Sequence, residues 1–407
     1  MRPVDSPSLQ RRGSLWTCVW LACAAAALAA PLDAAAEGAF SAEVTYTGEA
    51  WGVTHGGLRR GSRYLDNLDV VLAWDTVHLP ALGPSRLYAH VLYNNSGRLT
   101  EELIGDLQTV SNIDAPQAVR LYEAWWEKAF GAGGSADADA VRPGSLRLGV
   151  YDLNSEFDAL ETASLFLNSS HGIGPDLAQS GENGPSIFPV TGLAVRLELP
   201  LGGRRRLRLA ALDAVPGSPE SAGSHDFGFS ERDGALLIGE LERALGEQGR
   251  AFVGAWRYTK RAPRLLAGLS EPEEARARAA GLYVGAERAF GTDLAGFIRL
   301  GRATQAVHVF GRYVGAGLTW RPALSVPTTL GVAVAHARAG RDQRQVARLE
   351  GTAIAAAETA LELTARLELP GGWALQPDVQ YVIDPGLDPA LTDALVLGLR
   401  FERSWER

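Results

Sequence analysis

Arginine and glutamate recur at every second position along several short segments of the chain, each opposite an apolar residue. Arg147, Gly149 and Tyr151 alternate with Leu146, Leu148 and Val150, while Ala194, Arg196 and Glu198 alternate with Leu193, Val195, Leu197 and Leu199. A third run sets Glu362, Thr364, Arg366 and Glu368 against Leu361, Leu363, Ala365, Leu367 and Leu369. A fourth sets Val396, Gly398, Arg400 and Glu402 against Leu395, Leu397, Leu399 and Phe401. The same parity assigns Arg208, Arg257, Arg299, Glu123 and Glu287 to polar faces. A guanidinium donates in a rigid fork, a carboxylate accepts, and an aromatic ring offers an apolar plane. Together they can make weak hydrogen bonds in both directions and a stacking contact that is easily released.

Catalytic chemistry has less support, and no catalytic residue is assigned. The seven histidines (55, 78, 90, 171, 225, 308 and 336) show no metal-ligand spacing, and His171 reads as the end of a strand. Acids are numerous enough to furnish a hydrolytic pair, but hydrolysis needs two at a fixed separation, which a sequence does not display. The glycines are scattered and form no phosphate-binding loop. No cofactor or metal is expected.

The elements that carry these residues are runs of about 8 to 11 positions with period two, separated by Gly, Pro, Asp and Asn. After residue 36 no stretch approaches the roughly 20 apolar residues a membrane helix needs. A spanning chain would therefore have to be a closed barrel, of which such runs are the signature. A soluble sandwich alternates too. Two features favour the barrel: no segment is apolar on both faces, and aromatics fall near strand ends (Tyr46, Trp51, Trp74, Tyr88, Trp256, Tyr258, Trp320, Trp373, Tyr381 and Phe401), as interface girdles require. One segment resists, because Ala118, Leu121, Tyr122, Trp125 and Trp126 recur at helical spacing.

Ahead of the strands, Arg11 and Arg12 precede an apolar stretch over residues 15–30 that ends in small residues, the pattern of a secretory signal. Cleavage after Ala36 is expected, with an earlier cut near Ala30 as the alternative. Both cysteines, Cys18 and Cys23, lie in this leader, so the exported chain carries no disulfide; lipidation at Cys23 is the competing reading. Beyond residue 36 there remain 36 basic and 45 acidic residues, a net charge of minus nine. That balance argues against nucleic acid as a partner. Lys128 and Lys260 are the only lysines, so nearly every cation is a guanidinium.

The 371 residues from Glu37 onward, at roughly 22 to 25 per strand and connection, give one all-β domain: a transmembrane antiparallel barrel of about 16 strands. Short turns are expected at Leu201-Gly202-Gly203-Arg204, Phe290-Gly291-Thr292-Asp293 and Pro370-Gly371-Gly372. Residues 99–116, 168–189, 216–234 and 261–280 are expected as longer loops that face outward or fold into the channel, with a short helix over 272–278. Lipid-facing Leu148, Val195 and Leu397 should reject arginine, whereas Gly149, Ala194 and Val396 should accept it.

Several blocks resemble the OprB family of carbohydrate-selective porins. They begin at Tyr46-Thr47-Gly48-Glu49 and Gly56-Gly57-Leu58-Arg59-Arg60-Gly61. The densest are Gly105-Asp106-Leu107-Gln108-Thr109-Val110-Ser111-Asn112-Ile113, Leu121-Tyr122-Glu123-Ala124-Trp125 and Leu146-Arg147-Leu148-Gly149-Val150-Tyr151-Asp152-Leu153-Asn154-Ser155-Glu156-Phe157. Leu165-Phe166-Leu167-Asn168-Ser169-Ser170-His171-Gly172-Ile173-Gly174 and Gln380-Tyr381-Val382-Ile383-Asp384-Pro385-Gly386 follow. The resemblance implies a sixteen-stranded outer-membrane channel for passive diffusion of small, glucose-like sugars, and it implies a strand over 121–130 against the helical spacing. At its end the chain departs from the family pattern, running on from Phe401 to Arg407 with Trp405 in place of a terminal aromatic.

On this reading a constriction must replace water around sugar hydroxyls without holding the sugar tightly. Asp106, Gln108 and Asn112 on an inward loop, with Glu123, Trp125 and Arg147 on strands beside it, are the expected constriction. Arg196, Arg208, Arg257, Arg299, Arg366 and Arg400 are expected to line the pore, and Arg400, far along the chain, to act only on the field. A general diffusion porin and a periplasmic β-rich sugar-binding protein or glycoside hydrolase are the alternatives. The expected partners are small sugars and outer-membrane lipid, with the protein a monomer or a weak homo-oligomer.

Overall fold

The computed structural model describes residues 40–76, 83–95, 97–131, 143–217, 232–269 and 275–406. The expected leader and its cysteines lie outside these, as do parts of the connections after Asp213 and Pro263. Sixteen antiparallel strands form one closed barrel in sequential order. They are β1 (Phe40–His55), β2 (Gly61–Asp75), β3 (Arg86–Asn95), β4 (Ala118–Phe130), β5 (Gly144–Tyr151), β6 (Gly192–Gly202), β7 (Arg205–Asp213) and β8 (Ala235–Ala244). There follow β9 (Gly249–Pro263), β10 (Arg276–Phe290), β11 (Leu294–Ala303), β12 (Phe310–Trp320), β13 (Thr328–Ala339), β14 (Ala357–Leu369), β15 (Trp373–Ile383) and β16 (Ala394–Glu406). Pairing of β1 with β16, from Glu43 opposite Glu406 to His55 opposite Leu395, closes the wall. Closure leaves no edge strand with unpaired amides, the condition for a sheet to stand in hydrocarbon. No helix of the described residues is long and apolar enough to cross a membrane.

The period-two pattern sorts the side chains. Leu148, Val195, Leu361, Leu363 and Leu397 face outward, with Leu363 59 % exposed, while Glu362, Arg196 and Val396 are buried inside. Turns at 203–204, 291–293 and 370–372 lie at the end that holds both termini. Longer connections, 97–117 and 152–191 above all, rise from the other end. Arg276–Arg278 belongs to β10, so the short helix expected over 272–278 does not extend to those residues; 272–274 lie outside the described residues.

β4 accounts for the helical spacing. Opposite it the register shifts between His90 and Val91, so that Tyr122 is an extra residue between Leu121 and Glu123. The bulge brings Tyr122 and Glu123 both into the interior. Burial at 118, 122 and 125 then imitates a helix although each half keeps strand period.

The aromatics divide, and four of the expected girdle residues do not belong to it. Trp51, Trp256 and Tyr258 are buried inside, and Tyr88 stacks on buried Trp125. The outward Trp74, Phe130, Phe290, Trp320, Trp373 and Trp405 are exposed and lie at strand termini on the short-turn end, while the exposed Tyr64 and Tyr381 lie toward the long-loop end.

Candidate functional site in the barrel lumen

Two connections fold into the barrel. Residues 152–191 pack Leu153, Phe157, Leu160, Phe166 and Leu177 against wall residues of β6–β13, including Leu212, Leu236, Phe252, Trp256 and Phe297. Residues 97–117 include, near their start, one π-helical turn, Thr100–Ile104, closed by Gly105 at φ 82°. They pack Leu99, Leu103, Val110 and Ile113 against Trp51, Leu65, Val382 and Val396. The two connections also bond to each other, Asn112 donating its N–H to Leu167 O at 2.8 Å and Ser169 its N–H to Thr109 O at 3.0 Å.

Irregular backbone inside a barrel must find partners, and the wall supplies them. Glu358 accepts N–H groups of Leu107, Gln108 and Gly386 at 2.9, 2.8 and 2.7 Å. Glu362 accepts those of Leu167 and Asn168 at 2.6 and 3.0 Å, and Glu287 those of Glu161 and Thr162 at 3.2 and 2.7 Å. Glu240 takes the N–H of Asp158 at 2.9 Å, and Glu123 that of Asp152 at 3.1 Å. Arg299 performs the converse task. It donates to the carbonyls of Ser170, His171 and Gly172 at 3.2, 2.9 and 2.9 Å, bonds Asp158 O, and pairs with the Asp158 carboxylate at 3.0 Å.

Several expected pore residues are therefore anchors. Arg299 is 1 % exposed and touches loop on every side. Arg196 is buried between Glu127 and Glu156, each at 2.7 Å. Arg208 is buried among Glu198, Glu240 and Glu242 at 2.9–3.2 Å. Asp106 and Gln108 are buried at Glu358 on the β13–β14 wall, where Asp106 is raised above the usual aspartate range by burial and then by the Glu358 charge. Arg257 points outward: Phe252, Trp256 and Tyr258 take the inward positions of β9, so its parity is one residue off. The inward loop makes that stretch of lumen apolar, which reverses the usual meaning of the alternation. His171, expected at a strand end, lies in the short helix Ser169–Gly172, fully buried; burial and then the Arg299 charge lower its pKa to about 3.

Glu123, Trp125 and Arg147 do come together. Tyr88 from β3 stacks on Trp125 at 4.6 Å with 12° between the planes. The Arg147 guanidinium from β5 lies 3.9 Å from the ring centroid. Because β3 and β5 flank β4, Trp125 is held between the two, and its Nε1–H donates to Glu123 at 3.2 Å. Arg147 also pairs with Glu127 and Glu156 at 2.9 and 3.4 Å, and its side chain keeps 12 % exposure.

Asn112 is elsewhere, exposed on the inward loop and bonded by Arg400. Arg400 also donates to Glu49 at 2.6 Å, and Glu49 accepts from Ser111 Oγ and Trp51 Nε1 at 2.6 and 2.7 Å. Arg400 therefore touches the inward loop directly, contrary to the expectation that it would act only on the field. Arg366 pairs with Glu368 and Glu402 at 2.8 and 2.7 Å nearer the short-turn end. Sequence parity missed Tyr88, Glu127 and Glu156. The first two are legible from alternation once the β4 bulge is known; Glu156 lies on the loop, where no period applies.

Beneath the longer loop, at the short-turn end, lies a cavity of about 840 Å³ lined by charged side chains including Arg206, Arg208, Glu242, Arg250 and Glu287. A closed sixteen-strand barrel, hydrocarbon outside and charged inside, with connections tied across its interior, defines a porin-type channel.

The chain belongs to the OprB family of carbohydrate-selective porins, whose family model matches residues 59–404. It is thus a carbohydrate-selective channel of the outer membrane. Solved structures with the same fold include the high-pH structure of Pseudomonas putida OprB, at TM-score 0.78 and 18 % identity over 91 % of this chain and 95 % of that one. The outer membrane channel DcaP of Acinetobacter baumannii aligns at TM-score 0.57 and 11 % identity over 90 % and 97 %. A Rh. blastica porin variant aligns at 0.53 and 10 % over 90 % and 100 %. Curated protein sequences gave no match.

Proposed function

We propose that the channel passes glucose-like monosaccharides by diffusion into the periplasm, after export directed by residues 1–36, and works as a monomer or weak homo-oligomer in contact with outer-membrane lipid. The observation that carries this reading is the Tyr88–Trp125–Arg147 stack with Glu127 and Glu156 at its edge. It offers an aromatic plane, a fixed guanidinium and carboxylate acceptors within one wall of the lumen, the set a pyranose needs for brief contacts. Trp125 serves as a spacer that orients Arg147; the solute-facing groups are Arg147, Tyr88, Asn112 and Arg400.

The geometry gives a general diffusion porin less room, because two loops are fastened inside the barrel at more than a dozen points. Conductance of the full protein in planar bilayers tests the proposal. Millimolar glucose is expected to reduce the current reversibly, and a current indifferent to glucose while salt still flows would remove the monosaccharide reading.

A further inference from the structure

On the outer surface of the barrel, three arginines stand side by side in one ladder row. Arg302 of β11 faces Arg312 of β12, and Arg312 faces Arg338 of β13. All three are exposed and point outward. Directly opposed residues of antiparallel strands have Cβ atoms about 5 Å apart, and like charges so placed repel. Among the described residues none of the three has an ion pair or hydrogen bond. The row ends in Leu282 on one side and Ala357 on the other, so no neighbouring strand supplies a compensating charge.

The position of the row matters as much as its charge. Two residues toward the middle of each strand, roughly 7 Å away, the outward row runs Val284, Leu300, Val314 and His336, apolar over β10–β12 and ending on β13 in the histidine, whose Nδ1 is hydrogen-bonded with Thr359 Oγ1 at 2.8 Å. The arginines thus border the hydrocarbon belt. They do so at the long-loop end, which faces the outside of the cell in barrels of this kind. The exposed tryptophans and phenylalanines at strand termini all gather at the opposite end, whereas the exposed aromatics toward this end are the tyrosines Tyr64 and Tyr381, so the two interfaces of this barrel are chemically different.

Beside the row, Gln305, Gly311, Arg312, Arg338, Ala339 and Arg344 line a cleft of about 130 Å³. Its floor is Gly311 and Ala339, and Arg344 comes from the helix Arg341–Glu350. Gln305 Oε1 is already occupied by the N–H of Arg341 at 2.7 Å, which leaves its amide donors. The cleft therefore presents donors, three of them guanidinium groups, to whatever enters.

We infer that this row and cleft bind the phosphate of a phosphorylated lipid headgroup in the outer leaflet. Guanidinium forks match phosphate oxygens bidentately, and the apolar row beneath accepts the acyl chains. A free anion would gain nothing from that apolar row, which is why the lipid is the occupant.

Full-length protein folded in detergent, titrated with bisphosphorylated lipid A and followed by native mass spectrometry, tests this. The wild type is expected to retain the lipid. The R302Q/R312Q/R338Q variant should bind at least tenfold more weakly, and R243Q, an outward arginine at the other end, should bind as wild type does. Lipid A stripped of phosphate should bind as weakly as the triple variant, and inorganic phosphate at matched concentration should not displace the lipid. Equal binding by the triple variant, equal binding of the dephosphorylated lipid, displacement by inorganic phosphate, or a change of oligomeric state in place of lipid loss would each overturn the inference. Glutamine preserves side-chain length; should the triple variant not fold, R312Q at the centre of the row should alone lose several-fold. Unchanged sugar conductance in these variants separates the lipid site from the channel itself.

Discussion

Trp125 keeps both faces covered, by Tyr88 at 4.6 Å and by Arg147 at 3.9 Å, so its contribution to a solute passes through the guanidinium it orients. Arg147→Ala should weaken glucose block by the roughly 1 to 3 kcal/mol of a lost charge-assisted contact. Trp125→Ala should do nearly as much while leaving Arg147 in place. Glucose titration of single-channel current measures both, and full block in Trp125→Ala would show the guanidinium to be held by its carboxylates alone. Arg400→Ala frees Asn112 and Glu49 together, so it should alter sugar block as well as current. Arg299 differs in kind: removing it takes the ion pair from the buried Asp158 carboxylate, which keeps only the Gly174 N–H, and a donor from each of four loop carbonyls, of which those of Ser170 and Gly172 retain Tyr313 and Asn154. Arg299→Ala should cost about 3 to 5 kcal/mol, read as a lowered urea midpoint of folding into bilayers.

Strands set which faces meet lipid, but the loops set what the inner face can hold. Arginine at Leu148, Val195 or Leu397 should cost roughly 2 to 4 kcal/mol near the midplane. The expectation that Gly149, Ala194 and Val396 accept arginine has to change. Ala194 packs in the core under the longer loop, and Val396 under the shorter one. Gly149 has φ +142°, and a Cβ there would strike the Ala124 carbonyl. Arginine at these three inward positions should therefore destabilise as much as at the outward ones, through overpacking in place of desolvation. Folding titrations in bilayers of two thicknesses separate the causes, since only the outward set should respond to thickness.

At the scale of the whole molecule, the barrel closes by its backbone and the inward loops dock on it by side chains, so docking can vary while the wall stands. Asp176, on the loop helix Pro175–Ala178, is raised to about 7 by burial and then by the charge of Asp158. An undocked aspartate titrates near about 3.9. Between those values the docked loop binds the extra proton, so docking weakens as pH rises from about 4 to about 7 and levels off above. Hydrogen-exchange protection factors over 152–191, taken relative to the intrinsic rate at each pH, should fall across that range, and Asp176→Asn should flatten the profile. A slope that survives the substitution would assign it to another buried acid.

Period-two alternation determined the wall, because lipid outside and charge inside impose opposite demands on successive residues, and the short turns carried their own signals in Leu201-Gly202-Gly203-Arg204 and Pro370-Gly371-Gly372. The blocks shared with the OprB family also pointed to Glu123, Trp125 and Arg147 together. Alternation says only that a residue faces inward. Whether it then meets water, another charge or a loop depends on segments remote in the chain. Hence Arg299 and Gln108 became anchors, Trp256 and Tyr258 left the girdle for the lumen, and Arg257 faces out. Arg400 reached Asn112 because the last strand pairs with the first. The arginine row of β11–β13 exists only in the register, since residues 302, 312 and 338 have no common period until hydrogen bonds between three strands set them level.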